Sequence, residues 1–117
     1  MRKPLKALQP LVDLRGNGTS LTPARARLLE ALAETGSIAA AARAVGMSYK
    51  GAWDAVAALN AMTATPVVTA EQGGAGGGGA RLTAHGCRLL RFYEALATLQ
   101  QRVLSGTDSG DLDQMLA

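Results

Sequence analysis

Residues 36–56 read GSIAAAARAVGMSYKGAWDAV, and this stretch decides the fold. It predicts two helices joined at Gly46, because Ser37 and Ser48 are suited to cap helices and glycine accepts the positive φ of a sharp turn. The alanines on both sides of the turn are small enough for the two helices to cross closely. A helix-turn-helix is therefore predicted, with residues 48–62 as its second helix.

The second helix of this pair carries polar side chains in its first two turns. A helix of this kind lies in the major groove, offers its N-terminal residues to base edges and uses lysine to reach guanine or phosphate. Asp54 follows Lys50 by four residues, so the two could instead form a surface ion pair. Trp53 could pack beside Tyr49 or face DNA. The predicted contacts, including two phosphate clamps on the preceding helix, are Ser37, Arg43, Ser48, Tyr49, Lys50 and Asp54.

On the N-terminal side of this pair, the sequence predicts a short strand and one more helix. Leu11–Arg15 alternates between apolar and polar residues, and the following Gly-Asn-Gly is a turn. Thr22 can cap a helix that has Pro23 at its first position, where no amide donor is missed. Gly36 ends that helix.

On the C-terminal side, two β-prone segments flank a run of glycines. Residues 67–71 and 80–83 predict two strands, so the glycine-rich stretch between them reads as a hairpin loop. A helix-turn-helix followed by such a ribbon is a winged helix, with the wing over residues 72–80. Its loop can lie against the sugar-phosphate backbone or enter the minor groove. The predicted wing contacts are Gly76, Gly77, Gly78 and Arg81.

The glycine run also matches a nucleotide-binding pattern. Gly74–Gly79 satisfies G-x-G-x-x-G, and Glu94 follows Gly74 by 20 residues. That fingerprint requires a strand, a glycine turn and a helix that returns to a parallel strand. Because the predicted order is strand, glycines, strand, nucleotide binding is the less favoured interpretation.

The last predicted helix, about residues 84–105, is capped by Thr83 and carries an apolar seam with spacings of 3 and 4. Such a seam is typical of helix pairing between subunits, although it could pack on the chain's own first helix. The predicted dimer interface is Leu89, Phe92, Leu96, Leu99 and Val103. Residues 1–107 are expected to form the DNA-binding domain with its dimerisation helix, and residues 108–117 a flexible acidic tail.

Charge points to a polyanionic partner and little points to catalysis. Residues 1–107 contain twelve basic and six acidic residues, a net charge of +6. The single cysteine, Cys87, fits a reducing cytoplasm. His85 is the only histidine and is expected on the surface at a helix terminus; we find no metal-ligand cluster and predict that the protein is not an enzyme. No apolar run is long enough to span a bilayer, and no signal-peptide core is present.

Taken together, these motifs resemble the DNA-binding domain of the molybdate-responsive regulator family (ModE-type, with a LysR-like winged helix). The resemblance covers about residues 10–105 and depends on two segments, SYKGAWD at 48–54 and GGAGGGGA at 73–80. It implies a dimer that binds a palindromic operator on double-stranded DNA and controls genes of molybdate uptake or molybdoenzyme use.

Two departures from the family pattern matter. Full-length members carry C-terminal molybdate-binding domains, which this chain is expected to lack, so it would bind no cofactor itself and would respond to molybdate only through a partner protein. The residue between the two glycine groups is often basic in the family but is Ala75 here. The alternative function is an interaction-only protein that pairs through its last helix with a full-length regulator or a separate molybdate-binding protein.

Overall fold

The computed structural model describes residues 12–71 and 79–105, which form four helices and two antiparallel sheets of two strands each. The mainly helical architecture, with a small hairpin before a long last helix, agrees with the predicted winged helix-turn-helix. In chain order the elements are β1 (Leu14–Gly16), β2 (Thr19–Leu21), α1 (Pro23–Thr35), α2 (Ile38–Val45), α3 (Tyr49–Met62), β3 (Val68–Glu71), β4 (Gly79–Leu82) and α4 (Ala84–Ser105).

The first hairpin contains a strand that the sequence analysis did not predict. Gly16 lies opposite Thr19, so Asn17 and Gly18 form a two-residue turn with φ values of 52° and 78°. Positive φ at both positions is the geometry for which Asn-Gly is a preferred pair in hairpins. The Asn17 side chain also donates to the carbonyl of Met62, 2.8 Å away, and so ties this hairpin to the end of α3.

The ends of α1 and α2 lie where the sequence predicts them. Thr22 Oγ1 accepts a hydrogen bond from Arg25 N at 3.2 Å, and Pro23 occupies the first turn. Gly36 ends α1 with φ 68°, and Ser37 Oγ immediately caps α2. Two helices therefore meet with only Gly36 and Ser37 between them, and this short connection makes them pack closely.

The core lies among the helices and is built mainly from leucine and alanine. Ala41 and Ala42 on α2 and Ala52 on α3 have almost no exposed surface, which lets these helices approach closely as the sequence predicts. Each fully buried leucine contributes about 1.5 to 3 kcal/mol through removal of its surface from water. The largest fully buried side chains are Leu21, Leu28, Leu29, Leu32, Leu59 and Val67.

The second hairpin lies where the sequence predicts the wing. β3 and β4 are antiparallel, with Val68 opposite Leu82 and Glu71 opposite Gly79. The glycine-rich residues between them thus connect antiparallel strands, and this topology contradicts the nucleotide-binding interpretation of the run. Gly76, Gly77 and Gly78 themselves lie outside the described residues.

The long helix α4 begins as predicted but is packed more tightly at its start than expected. Thr83 Oγ1 accepts from Gly86 N at 2.9 Å and donates to the carbonyl of Pro66 at 2.6 Å. A Cβ on Gly86 would lie only 2.1 Å from the carbonyl oxygen of Val67. His85 is half-buried, and its Nε2 is buried without a hydrogen-bond partner among the described residues. His85 therefore lies at the helix terminus, as predicted, but is only partly exposed, because this turn packs against the entry to β3.

Candidate nucleic-acid interface

The connection between α2 and α3 has the geometry of a helix-turn-helix. Gly46 has φ 75°, and its amide donates back to the end of α2. The amide of Met47 donates to the carbonyl of Ala42 at 2.9 Å. Ser48 Oγ then accepts from Gly51 N at 2.9 Å and caps α3. Three residues therefore separate the two helices, as the sequence predicts.

The start of α3 divides into a buried face and an exposed face. Ala52, Ala55, Val56 and Leu59 are buried against the rest of the domain. The predicted DNA contacts at the start of this helix, Ser48, Tyr49, Lys50 and Asp54, are all exposed. The core therefore orients α3 so that its polar first turns face solvent, which is the orientation that a helix entering the major groove needs.

Lys50 and Asp54 form the ion pair that their spacing allows. Lys50 Nζ lies 2.8 Å from Asp54 Oδ2, and both side chains are largely exposed. The hydrogen bond to Asp54 raises the pKa of the Lys50 ammonium above its ordinary value. Because an exposed pair of this kind contributes little to stability, a phosphate or a guanine edge can compete with Asp54 for the ammonium.

Trp53 packs against the domain, and it also contacts Tyr49. Its half-buried side chain lies against the hydrophobic core, and the two rings meet edge to face at 6.3 Å with an interplanar angle of 78°. Tyr49 is 59% exposed. Trp53 therefore supports a tyrosine whose surface is open to a partner.

The two predicted residues on α2 have different surroundings. Ser37 is half-buried, and its oxygen accepts from Ala40 N at 3.2 Å as the helix cap. Arg43 is exposed in the last turn of α2. Arg43 can therefore extend toward phosphate, whereas Ser37 has a structural role in addition to its predicted contact.

The wing is fixed to the helices at the start of both strands. The side-chain oxygen of Asn60, on α3, accepts from Val67 N and Val68 N at 2.8 and 3.0 Å, and its amide donates to Val68 O at 3.1 Å. The amide of Ala80, on β4, donates to the carbonyl of Gly36 at 3.1 Å. Both strands are therefore held in a set position relative to the helix-turn-helix.

Arg81 has an acidic neighbour on the opposite strand. Its Nη1 lies 2.7 Å from Glu71 Oε1, and the two side chains are 69% and 50% exposed. Like the pair on α3, this bridge is on the surface and is screened by salt. Arg81 can donate to a phosphate, although Glu71 compensates part of its charge.

Two residues that hold neighbouring elements together near the predicted contacts are absent from the sequence prediction. Asn60 sets the position of β3, and no local pattern in the sequence marks it. Arg25 donates through Nη1 to the carbonyl of Ser20 at 2.6 Å and to Thr19 Oγ1 at 3.3 Å. Because β2 was not predicted, the contacts of Arg25 with that strand could not be foreseen.

The predicted dimer seam on α4 lies mostly at the surface of the protomer. The buried residues of this helix include Leu90 and Tyr93, and the Tyr93 hydroxyl donates to the carbonyl of Val12 at 2.8 Å. Phe92 and Leu99, by contrast, are 58% and 57% exposed. The seam therefore lies beside the buried line of α4 and partly shares it: Leu89 packs half-buried against the chain's own core, Leu96 is half-buried and Val103 is exposed.

Two further observations concern only residues 12–71 and 79–105. This part of the chain contains no group of three or more His, Cys, Asp or Glu side chains that could hold a metal ion. It likewise has no helix with the length and apolar character needed to cross a membrane.

These features define a winged helix-turn-helix DNA-binding domain. Residues 23–87, more than half of the chain, match the family described as the bacterial regulatory helix-turn-helix protein, lysR family. The chain therefore belongs to this family. Its assignment confirms the prediction of a DNA-binding regulator rather than an enzyme.

Individual relatives confirm the resemblance to the molybdate-responsive regulators. The chain is 49% identical over 94 residues to the molybdenum-pterin-binding protein MopB of Rhodobacter capsulatus, covering 80% of this chain and 35% of that protein. It is 44% identical over 97 residues to the transcriptional regulator ModE of Yersinia pestis, covering 81% and 37%. The DNA-binding transcriptional dual regulator ModE of Escherichia coli K12 is also 44% identical, over 98 residues. The chain thus spans a little over a third of the length of these relatives.

Proposed function

We propose that this chain acts as a homodimer that binds a palindromic operator and regulates transcription of genes linked to molybdate. The observation that carries the proposal is the exposed polar start of α3, which the core holds outward beside an anchored wing. In the proposed complex α3 lies in the major groove, and the wing lies at the adjacent backbone or minor groove. Such a protein works in the bacterial cytoplasm, where its DNA is.

Selection of binding sites from a pool of randomised DNA duplexes tests this function directly. We expect the full chain to enrich a motif with two-fold symmetry, because each protomer of a dimer reads one half-site. A selection that enriches no motif would contradict the proposal. A protein that dimerises but enriches nothing would instead support the interaction-only alternative.

Lys50→Ala then tests the predicted reading helix on the selected duplex. We expect a loss of affinity of about fivefold or more, since one contact to a base is worth about 1 to 3 kcal/mol. Arg102→Ala, a matched loss of one positive charge in the last turn of α4, is expected to change affinity little. Equal effects of the two substitutions would remove Lys50 from the interface.

The dimer is proposed to form through α4. A seam whose Phe92 and Leu99 are more than half exposed leaves apolar surface that a second protomer can cover, and burying it removes that surface from water. Leu99→Glu is expected to shift the protein from dimer to monomer in sedimentation. Glu34→Gln, an exposed change on α1, is the control. An unchanged dimer would contradict pairing through this seam.

We further propose that the chain binds no cofactor and that any molybdate response reaches it through a partner protein that binds the oxyanion. The support is the similarity to relatives named for molybdenum, of which this chain matches the helix-turn-helix. Titration with sodium molybdate is expected to leave the affinity of the isolated chain for its duplex unchanged. Genome-wide binding with and without molybdate tests the response in the cell.

A further inference from the structure

Arg25, at the start of α1, is held in place more firmly than the other basic residues near the proposed interface. Its Nη1 donates to the carbonyl of Ser20 and to the hydroxyl of Thr19 on β2. The side chain is half-buried. A guanidinium has five N–H donors in a rigid fork, so anchoring through Nη1 leaves the donors on its other nitrogens to bind an anion.

Arg25 also differs from Lys50 and Arg81 in its charge environment. Those two residues have carboxylate partners at 2.8 and 2.7 Å. Within the described part of the chain, no carboxylate lies within ion-pair distance of Arg25. Its contacts with β2 are to neutral oxygens, so its positive charge has no ion-pair partner among the described residues and is available to an anion.

Arg25 lies close to the start of α3, the helix proposed to enter the major groove. Arg25 lines an open cleft of about 530 Å³ between α1 with β2 on one side and the first two turns of α3 on the other, where Ser48 and Gly51 form part of the wall. Asp54 also lines the cleft, but it is the partner of Lys50. Arg25, Lys50 and Asp54 together carry a net charge of +1, so this part of the surface favours an anion.

The dimensions of DNA indicate which anion such a cleft meets. The major groove is about 12 Å wide, and a helix with its side chains is about 10 to 12 Å across. When a helix fills the groove, the surface beside it on the same protein lies against the sugar-phosphate backbone that borders the groove. An arginine fixed on the neighbouring element can donate two parallel hydrogen bonds to one phosphate.

We propose that Arg25 binds a backbone phosphate of the operator, at the edge of the major groove that α3 occupies. This inference rests on the proposed function and extends the interface from α3 and the wing to the start of α1. The contact is independent of base sequence and sets the depth and register of α3. Tethering by β2 orients the guanidinium before DNA arrives and lowers the entropy lost on binding.

The salt dependence of DNA binding tests this contact. The affinity of the full chain for the selected duplex is measured by fluorescence anisotropy over a series of KCl concentrations. Each phosphate contact contributes about −0.9 to the slope of log K against log [KCl]. Arg25→Gln is expected to make the slope shallower by about 0.9 per protomer and to weaken binding to selected and scrambled duplexes by the same factor.

Arg27→Gln is the matched control, since Arg27 is an exposed arginine two residues along the same helix and faces another direction. It is expected to leave the slope unchanged. An Arg25→Gln protein that is folded by circular dichroism but has the wild-type slope would overturn the inference.

Arg25→Lys separates the charge from the tether to β2. Lysine keeps the charge but loses the fork, so we expect the wild-type slope with an affinity several-fold lower on both duplexes. If Arg25→Gln does not fold, Arg25→Lys is the deciding variant. An Arg25→Lys protein with the affinity of the wild type would contradict the proposed bond between the Arg25 guanidinium and a phosphate. If the wild-type chain enriches no motif, the proposed function fails. If the wild type binds and Lys50→Ala weakens binding but Arg25 variants do not, only this inference fails.

Discussion

At some positions only a residue without a side chain lets two elements of this domain pack closely, and Gly86 shows this most clearly. Alanine is ordinarily about 1 kcal/mol better than glycine inside a helix. At position 86, however, the added methyl would lie 2.1 Å from the carbonyl of Val67, a backbone oxygen that cannot move alone. We expect Gly86→Ala to lower the free energy of unfolding by about 1 to 3 kcal/mol, measured by urea denaturation.

Gly51→Ala is the contrasting change for that measurement. There the methyl would meet only Ser48 Oγ at 2.9 Å, and a hydroxyl can rotate away. The lost cap and the gained helix propensity are each worth about 1 kcal/mol, so we expect a net effect near zero. If Gly86→Ala changes the free energy of unfolding as little as Gly51→Ala does, then α4 does not need this close approach to the wing.

Asn60 connects α3 to the wing through three hydrogen bonds of one side chain. Asn60→Ala leaves the amides of Val67 and Val68 without their acceptor, so we expect a loss of about 1 to 3 kcal/mol and faster hydrogen exchange at both amides. Asn60→Asp keeps an acceptor and loses the donor to Val68 O, so the two amides should stay better protected than in Asn60→Ala. Equal exchange in the two variants would contradict the assignment.

At the scale of elements, β4 lies in its position because Gly79 carries no side chain. A Cβ there would lie 2.9 Å from the carbonyl oxygen of Gly36, to which Ala80 N also donates. Gly79→Ala should displace the strand, expose the Ala80 amide to exchange and weaken DNA binding several-fold with the helix content unchanged. Thr69→Ala, an exposed change on β3, is the control. If hydrogen exchange at the Ala80 amide is the same in Gly79→Ala as in the wild type, then β4 accommodates the added methyl without moving.

The sequence predicts these elements unequally well, for physical reasons. The four helices are predictable because hydroxyl caps and glycine stops act locally, as at Ser37 and Gly46. The sequence prediction lacks β2, although Asn17-Gly18 is a local hairpin signal. The positions of Asn60 and Arg25 could not be predicted, because their partners lie on other elements and become neighbours only in the folded chain. The ion partner of Lys50 was foreseeable from spacing, and that of Arg81 was not.

At the scale of the whole molecule, acidic residues face each other where α1 and α4 pack. Burial, and then the charges of Glu94 and Glu34, raise the pKa of Glu30 above its ordinary value of 4.5, with Arg27 opposing them. The folded chain therefore holds this proton more tightly than the unfolded chain. Stability from this group is lost as pH rises from the ordinary value through the raised one.

Glu30→Gln removes the carboxyl whose ionisation destabilises the folded chain. We therefore expect a higher thermal unfolding midpoint than that of the wild type at pH 7, and the same midpoint below about pH 4. The gain should not exceed about 1 kcal/mol, since the site is exposed and screened. In a Glu94→Gln background Glu30→Gln should raise the free energy of unfolding by less, because one of the charges that raises the pKa of Glu30 is already absent. A gain that is constant from pH 4 to pH 7 would mean that charge is not its cause.

Because both strands of the wing are anchored to the helices, the segment between them is a suitable place for sequence replacement. Asn60 holds one end and Gly36 holds the other through bonds that involve none of residues 72–78. We therefore expect Ala75→Lys, or a segment from another winged helix between Glu71 and Gly79, to leave both anchors in place. Under the proposed function, variants with altered operator preference can be sought separately on α3 and between Glu71 and Gly79.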